Sequence, residues 1–126
     1  MDRLRRQVAE KMGYKAEPTS PDSIYWHLLD PKGHSITFPP FGYNEEEAWD
    51  DCPPLDTWEG AGLVLKWLGE HNYYFEIFYE GCYRDEPYVI RDSTDEGLCG
   101  KGIERTSKTV DDFPKAICEF LLEVSE

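Results

Sequence analysis

The sequence predicts an α+β fold in which helices pack on an antiparallel sheet, and three observations predict it. Phe113, Ala116, Ile117, Phe120, Leu121 and Val124 recur at helical spacing, a continuous apolar stripe that must bury one face of a helix. Residues 72–80 alternate instead. Tyr73, Phe75, Ile77 and Tyr79 fill the odd positions, while Tyr74 and Phe78 share the even side with Glu76 and Glu80. Between the two, Trp58, Ala61, Leu65 and Leu68 repeat at helical spacing with Val64 beside them. Striped helices and a strand that is apolar on both sides are buried together most simply as layers.

The elements follow in order. Residues 2–12 read as an amphipathic helix, with Leu4, Val8 and Met12 on one side, arginines on the other, and Gly13 as a stop. Residues 17–22 hold two prolines and read as a connector. Residues 24–29 have strand composition and run into Asp30-Pro31-Lys32-Gly33, a turn from which residues 35–38 are expected to pair back as a hairpin. Residues 41–54 carry little periodicity beyond one helical turn at 45–49, and read as an irregular surface excursion. Asp56 with Glu59 reads as a capping-box-like start to the second helix, which Gly69 ends. Gly60 and Gly62 inside it suggest close approach to a neighbouring backbone. Residues 87–90 make the return strand after Gly81, and residues 92–108 read as a loop with a short edge strand at 102–106. Pro114 in a first turn behind Asp111 and Asp112 opens the last helix. Cys118, beside its stripe, reads as a small packed residue.

The chain has 126 residues, the size of one domain, and a formal charge of −13. That charge argues against direct binding to nucleic acid or to an anionic membrane, both of which need a basic face. There is no apolar run of about 18 residues to span a bilayer and no apolar run of a secretory signal. A soluble cytosolic chain is expected. Cys52, Cys82, Cys99 and Cys118 are scattered, without a C-x-x-C pair or a histidine at zinc-ligand spacing, so thiols rather than a metal site are expected. No cofactor motif is present. Gly97-Leu98-Cys99-Gly100-Lys101-Gly102 lacks both the spacing and the following helix of a phosphate loop. No nucleophile has a visible base, and none of these readings makes the chain an enzyme.

The charge is densest between Asn44 and Gly60, where seven carboxylates occur with no Lys or Arg. Residues 1–16, by contrast, are locally basic. Like charges at that density stay in solvent or await something basic. Within this stretch and just before it, Phe41, Tyr43, Glu45, Glu46, Glu47, Trp49, Asp50 and Asp51 form the candidate partner-binding set, an acidic aromatic surface at about 39–55. Aromatic anchors are typical of protein interfaces. Together with Trp26 and Phe38 these aromatics also fit a satellite core, and Trp26 and Phe38 suit that role best, with Phe41, Tyr43 and Trp49 the better surface candidates. Arg84, Arg91 and Arg105, with Lys101, form a second candidate set that would bind an anion if they met at one sheet edge.

Three segments in order carry a family resemblance: Val8-Ala9-Glu10-Lys11-Met12-Gly13-Tyr14, Pro54-Leu55-Asp56-Thr57-Trp58, and Phe113-Pro114-Lys115-Ala116-Ile117-Cys118. Together they resemble the phage ABA sandwich domain, a small family of phage and prophage proteins with an "EKVMGW"-like helix end, a "PYSTD"-like helix start and a "PLAICLAALKA"-like final helix. Leu55-Asp56-Thr57 stands where the family has Ser-Thr-Asp, and residues 24–51 are longer and more acidic than the family pattern. The resemblance implies an α-β-α sandwich and a phage source, hence the host cytoplasm. It brings no catalytic residues. The reading that follows is a non-catalytic counter-defence protein that blocks a basic, nucleic-acid-binding host immune protein such as a CRISPR effector. The alternatives are a sponge for a small nucleotide immune signal, with aromatics stacking on bases, and a phage housekeeping or structural protein.

Overall fold

The computed structural model describes residues 3–37, 41–93 and 102–126. The elements run α1 (Arg3–Met12), β1 (Lys15–Pro18), β2 (Trp26–Leu29), α2 (Glu45–Trp49), α3 (Trp58–Glu70), β3 (Phe75–Tyr79), β4 (Tyr88–Asp92), β5 (Glu104–Ser107) and α4 (Phe113–Val124). The fold is mixed α+β, with helices packed on antiparallel sheets of two and three strands. The chain divides into two compact units, residues 1–53 and 54–126. Among the described residues, no helix is long and apolar enough to cross a membrane.

In the first unit, α1 buries Val8, Ala9 and Met12 and ends as the sequence predicts. Gly13 takes φ +107°, and the amides of Gly13 and Tyr14 close back on the carbonyls of Glu10 (3.1 Å) and Ala9 (2.9 Å), a glycine-dependent helix stop. The segment expected to be a connector begins with a strand instead. β1 pairs antiparallel with β2 from Lys15↔Leu29 to Pro18↔Trp26. A charged, proline-ended strand at a sheet edge carries no alternating apolar signal, which is why the sequence hides it. The hairpin partner expected at 35–38 is reduced to a single bridge, Leu29↔Ser35, and Thr37 closes it by accepting from the Leu28 amide through Oγ1 at 2.9 Å. Phe38 lies outside the described residues. Asp30 makes the turn: its Oδ1 accepts from the amides of His34 and Lys32, both at 2.9 Å. These bonds, the His34 amide foremost, hold its carboxyl below the usual carboxylate range.

In the second unit β4 is the central strand, between β3 and β5. Val89 and Ile90 point to opposite faces and both are fully buried. β3 is an edge, so the fully covered odd face expected for it is not found. Phe75 packs edge-on against Phe120 with ring centroids 6.4 Å apart, but Ile77 and Tyr79 are exposed. Every residue of the stripe on α4 is buried, and Cys118 beside it is fully buried with its thiol donating to the Leu55 carbonyl. Helix α3 begins one residue later than expected. Thr57 is the N-cap, and Asp56 is a buried residue in front of it. It also runs past Gly69. Asn72, at φ +62°, is the left-handed residue that ends it, with the amides of Asn72 and Tyr73 closing on the carbonyls of Gly69 and Leu68. β5 occupies nearly the edge-strand position expected at 102–106.

The two helical glycines differ. A Cβ on Gly60 would stand 2.5 Å from the Pro54 carbonyl oxygen and 2.7 Å from the Leu55 Cα, whereas one on Gly62 would meet nothing within 4 Å. Gly60→Ala is therefore expected to destabilise the chain by about 1–3 kcal/mol through overpacking against backbone. Gly62→Ala is expected to stabilise it by up to about 1 kcal/mol through helix propensity. Urea denaturation of the two variants checks the opposite signs.

Asp30 gives a pH prediction. Its folded-state pKa lies below its unfolded value. Its contribution is therefore complete above the ordinary range of about 3.9 and lost as pH falls through the folded value. Asp30→Ala is expected to reduce the protection of the Lys32 and His34 amides at neutral pH. The gap from the unsubstituted chain should close in more acidic solution, as amide exchange followed by NMR will show.

Candidate functional site

Helix α2 is built from Glu45-Glu46-Glu47-Ala48-Trp49, and two sets of contacts bear on so short and acidic a helix. The first is its N-cap. Asn44 is extended, and its Oδ1 accepts from the Glu47 amide at 2.9 Å while its Nδ2 donates to Glu47 Oε1 at 3.1 Å. Each side chain thus satisfies a group of the other across the first turn, where three carboxylates also suit the helix dipole. The second is Arg6 on α1. Its Nε donates to Glu10 at 2.8 Å and its Nη2 to Glu45 at 3.0 Å, and its guanidinium lies over the Trp49 ring, 5.0 Å from the centroid. The bond to Glu10, and then the charges of Glu10, Glu45 and Glu46, raise the pKa of Arg6 against the opposing pull of desolvation.

Glu45, Glu46, Glu47, Asp50 and Asp51 are exposed, in keeping with the sequence. Tyr43 is 64% exposed and leans on the exposed Tyr25, with ring centroids 5.3 Å apart. Phe41 is half-buried, edge-on to His27 at 6.1 Å. Half-buried Trp26, one of the expected satellite-core residues, anchors this segment through its amide, which donates to the Gly42 carbonyl at 2.7 Å.

Trp49 departs from the expectation. Read as a surface aromatic, it is only 3% exposed and belongs to the core of the first unit with Ala48 and Cys52. The reason is the helical turn: Ala48, Trp49 and Cys52 fall at i, i+1 and i+4, one apolar face beneath an otherwise acidic segment. That spacing is the signal in the sequence that could have found it. Burying an indole contributes up to roughly 4–6 kcal/mol, taking about 150–250 Å² at about 25 cal/mol per Å². The cost is an orphaned Trp49 Nε1, which finds no acceptor among the described residues. An unpaired buried N–H costs about 1–3 kcal/mol, so burial wins.

Around this helix lies a cavity of about 480 Å³ lined by Arg6, Asn44, Glu46, Glu47, Trp49 and Asp50. Its wall holds three carboxylates and one guanidinium. Such a wall suits a cationic group.

The three candidate anion-binding arginines do not form a free basic cluster. Arg84 pairs with Glu80 at 2.7 Å and Glu104 at 3.1 Å. Arg91 pairs closely with Glu76 and lies 4.6 Å from the centre of the Phe78 ring. Arg105 reaches Glu123 at 2.8 Å and Glu119 at 3.6 Å. An anion would have to displace a carboxylate at each. Lys101, and the glycine-rich segment from Gly97 to Lys101, lie outside the described residues, as does Cys99. Among the described residues, no three His, Cys, Asp or Glu side chains are grouped to hold a metal ion. Cys82 is exposed, while Cys52 is buried with its thiol against the Pro53 carbonyl at 3.4 Å.

No protein-family model, no curated protein and no solved structure matches the chain.

The capping pair gives a test of how α2 is held. Asn44→Ala is expected to cost about 1 kcal/mol and to remove the protection of the Glu47 amide, with little effect on amides in α4. Hydrogen exchange resolved by residue checks it.

Proposed function

We propose that this chain is a non-catalytic binding protein whose acidic surface on α2 engages a basic surface of another protein. The observation that carries the reading is the set of exposed carboxylates at 45, 46, 47, 50 and 51, on and just after a helix capped by Asn44 and anchored by the buried Trp49. A pre-organised acidic surface loses little freedom on binding and steers a basic partner through long-range attraction. With the phage source that the family resemblance implies, the partner proposed is a host immune protein with a basic nucleic-acid channel, a CRISPR effector among them, and the role is to occlude that channel in the host cytoplasm. Sequestration of a nucleotide signal is less well supported, because Arg84, Arg91 and Arg105 already face carboxylates.

Net charge alone does not locate the surface. Residues 1–53 carry 10 acidic side chains against 6 basic, and residues 54–126 carry 16 against 7. Salt sensitivity is thus expected of any contact, and only local neutralisation is diagnostic. Binding to a purified RNA-guided nuclease with a basic channel is expected to weaken steadily with salt. The triple variant Glu45→Gln, Glu46→Gln, Glu47→Gln is expected to lose about tenfold or more, taking each exposed pair at roughly 0.5 kcal/mol. Affinity that is indifferent to salt, or unchanged in the triple variant, contradicts the reading.

A further inference from the structure

We infer that the cavity beside α2 is an arginine-recognition site, and that Arg6, part of its wall, covers the Trp49 ring in the free protein as an internal competitor for that ring. The inference rests on the proposed binding role and specifies which group of the partner is bound.

Glu46 and Asp50 stand at i and i+4 of the helical segment and Trp49 at i+3, so two carboxylates flank an indole on one wall of the cavity. Like charges at that spacing repel, and a cation between them relieves the repulsion. Among the described residues no Lys or Arg forms an ion pair with Glu46, Glu47 or Asp50, whereas Glu45 is held by Arg6.

Carboxylates alone would attract any cation. Two further observations narrow the ligand. A guanidinium already lies over the Trp49 ring, with its centre 5.0 Å from the ring centroid and two nitrogens on the carboxylates of Glu10 and Glu45. This pairing of an aromatic face with a forked donor favours Arg over Lys, because a planar guanidinium stacks while it bonds carboxylates and an ammonium does not. Second, Trp49 is 3% exposed and lines the cavity, and its indole N–H lacks an acceptor among the described residues. A peptide that delivers an arginine also brings backbone carbonyls, the kind of acceptor that this N–H lacks. The ligand is therefore an arginine-bearing peptide segment of a basic protein, exchanged for Arg6.

The exchange sets a sign that a simple structural role for Arg6 does not share. Removing an internal competitor raises the affinity for the external one, whereas removing a support for the site lowers it.

The experiment titrates the full chain with hexa-arginine, hexalysine and hexaglutamate peptides and follows the Trp49 indole N–H by NMR, assigned with Trp49→Phe. The expected result is movement of that resonance with hexa-arginine, weaker binding of hexalysine and none of hexaglutamate. Arg6→Met is expected to bind hexa-arginine several-fold more tightly, with Arg6→Lys in between, which also guards against a folding defect in Arg6→Met.

Equal affinity for the two basic peptides, a stationary Trp49 signal under bound hexa-arginine, or weaker binding by both Arg6 variants would each overturn the inference. They would leave the acidic surface of the proposed function in place. Failure of every basic peptide to bind would overturn both.

Discussion

The burial of Trp49 holds the acidic helix in the first unit, and Arg6 of α1 lies over that ring and pairs with Glu45. A five-residue helix with three consecutive glutamates is too short to hold itself in water. Asn44 closes its first turn, and Arg6 ties it by an ion pair to another element. One guanidinium touches Glu10 on its own helix, Glu45 across 39 residues of sequence, and the ring of Trp49. Each contact alone is small: an exposed ion pair or cation–π contact contributes about 0.2–1 kcal/mol. The buried Trp49 beneath it contributes more. The indole fixes the position from which the remaining carboxylates project.

That arrangement separates two roles within one acidic run. Glu45 and Glu47 have structural partners, Arg6 and Asn44, while Glu46, Asp50 and Asp51 point to solvent without an ion pair among the described residues. A surface of this kind attracts cations by its field and selects among them by geometry. The second unit treats its cations differently. Arg84, Arg91 and Arg105 are each set among glutamates along the three-stranded sheet and α4, cross-linking an otherwise strongly acidic surface instead of gathering into an anion site.

Much of this architecture is legible from local pattern. The α4 stripe, the glycine stop at Gly13, the β3–β4 pairing and the exposure of residues 45–47 follow from periodicity, φ-permissive residues and charge density. What stays hidden depends on partners distant in sequence. β1 is legible only once Trp26–Leu29 is known to lie beside it, since Lys15-Ala16-Glu17-Pro18 has no alternation of its own. The exposure of Ile77 and Tyr79 follows from β3 lying at an edge, which composition does not reveal. Trp49 is misplaced by sequence reasoning because its acidic neighbours outweigh the short Ala48–Trp49–Cys52 face. Arg6, on the far side of α1 from the apolar stripe, reads as one of several solvent-facing arginines until its long-range contact is known.

The central claim is that Arg6 is seated on the Trp49 ring in the free protein, beside the exposed carboxylates of the acidic surface. Its most direct test is a nuclear Overhauser measurement on the free chain at low salt. The account predicts cross-peaks between the Arg6 side-chain protons and the Trp49 ring, with the arginine methylenes shifted upfield by the ring current. Arginine methylenes at random-coil positions, with no cross-peak to the indole, would contradict it.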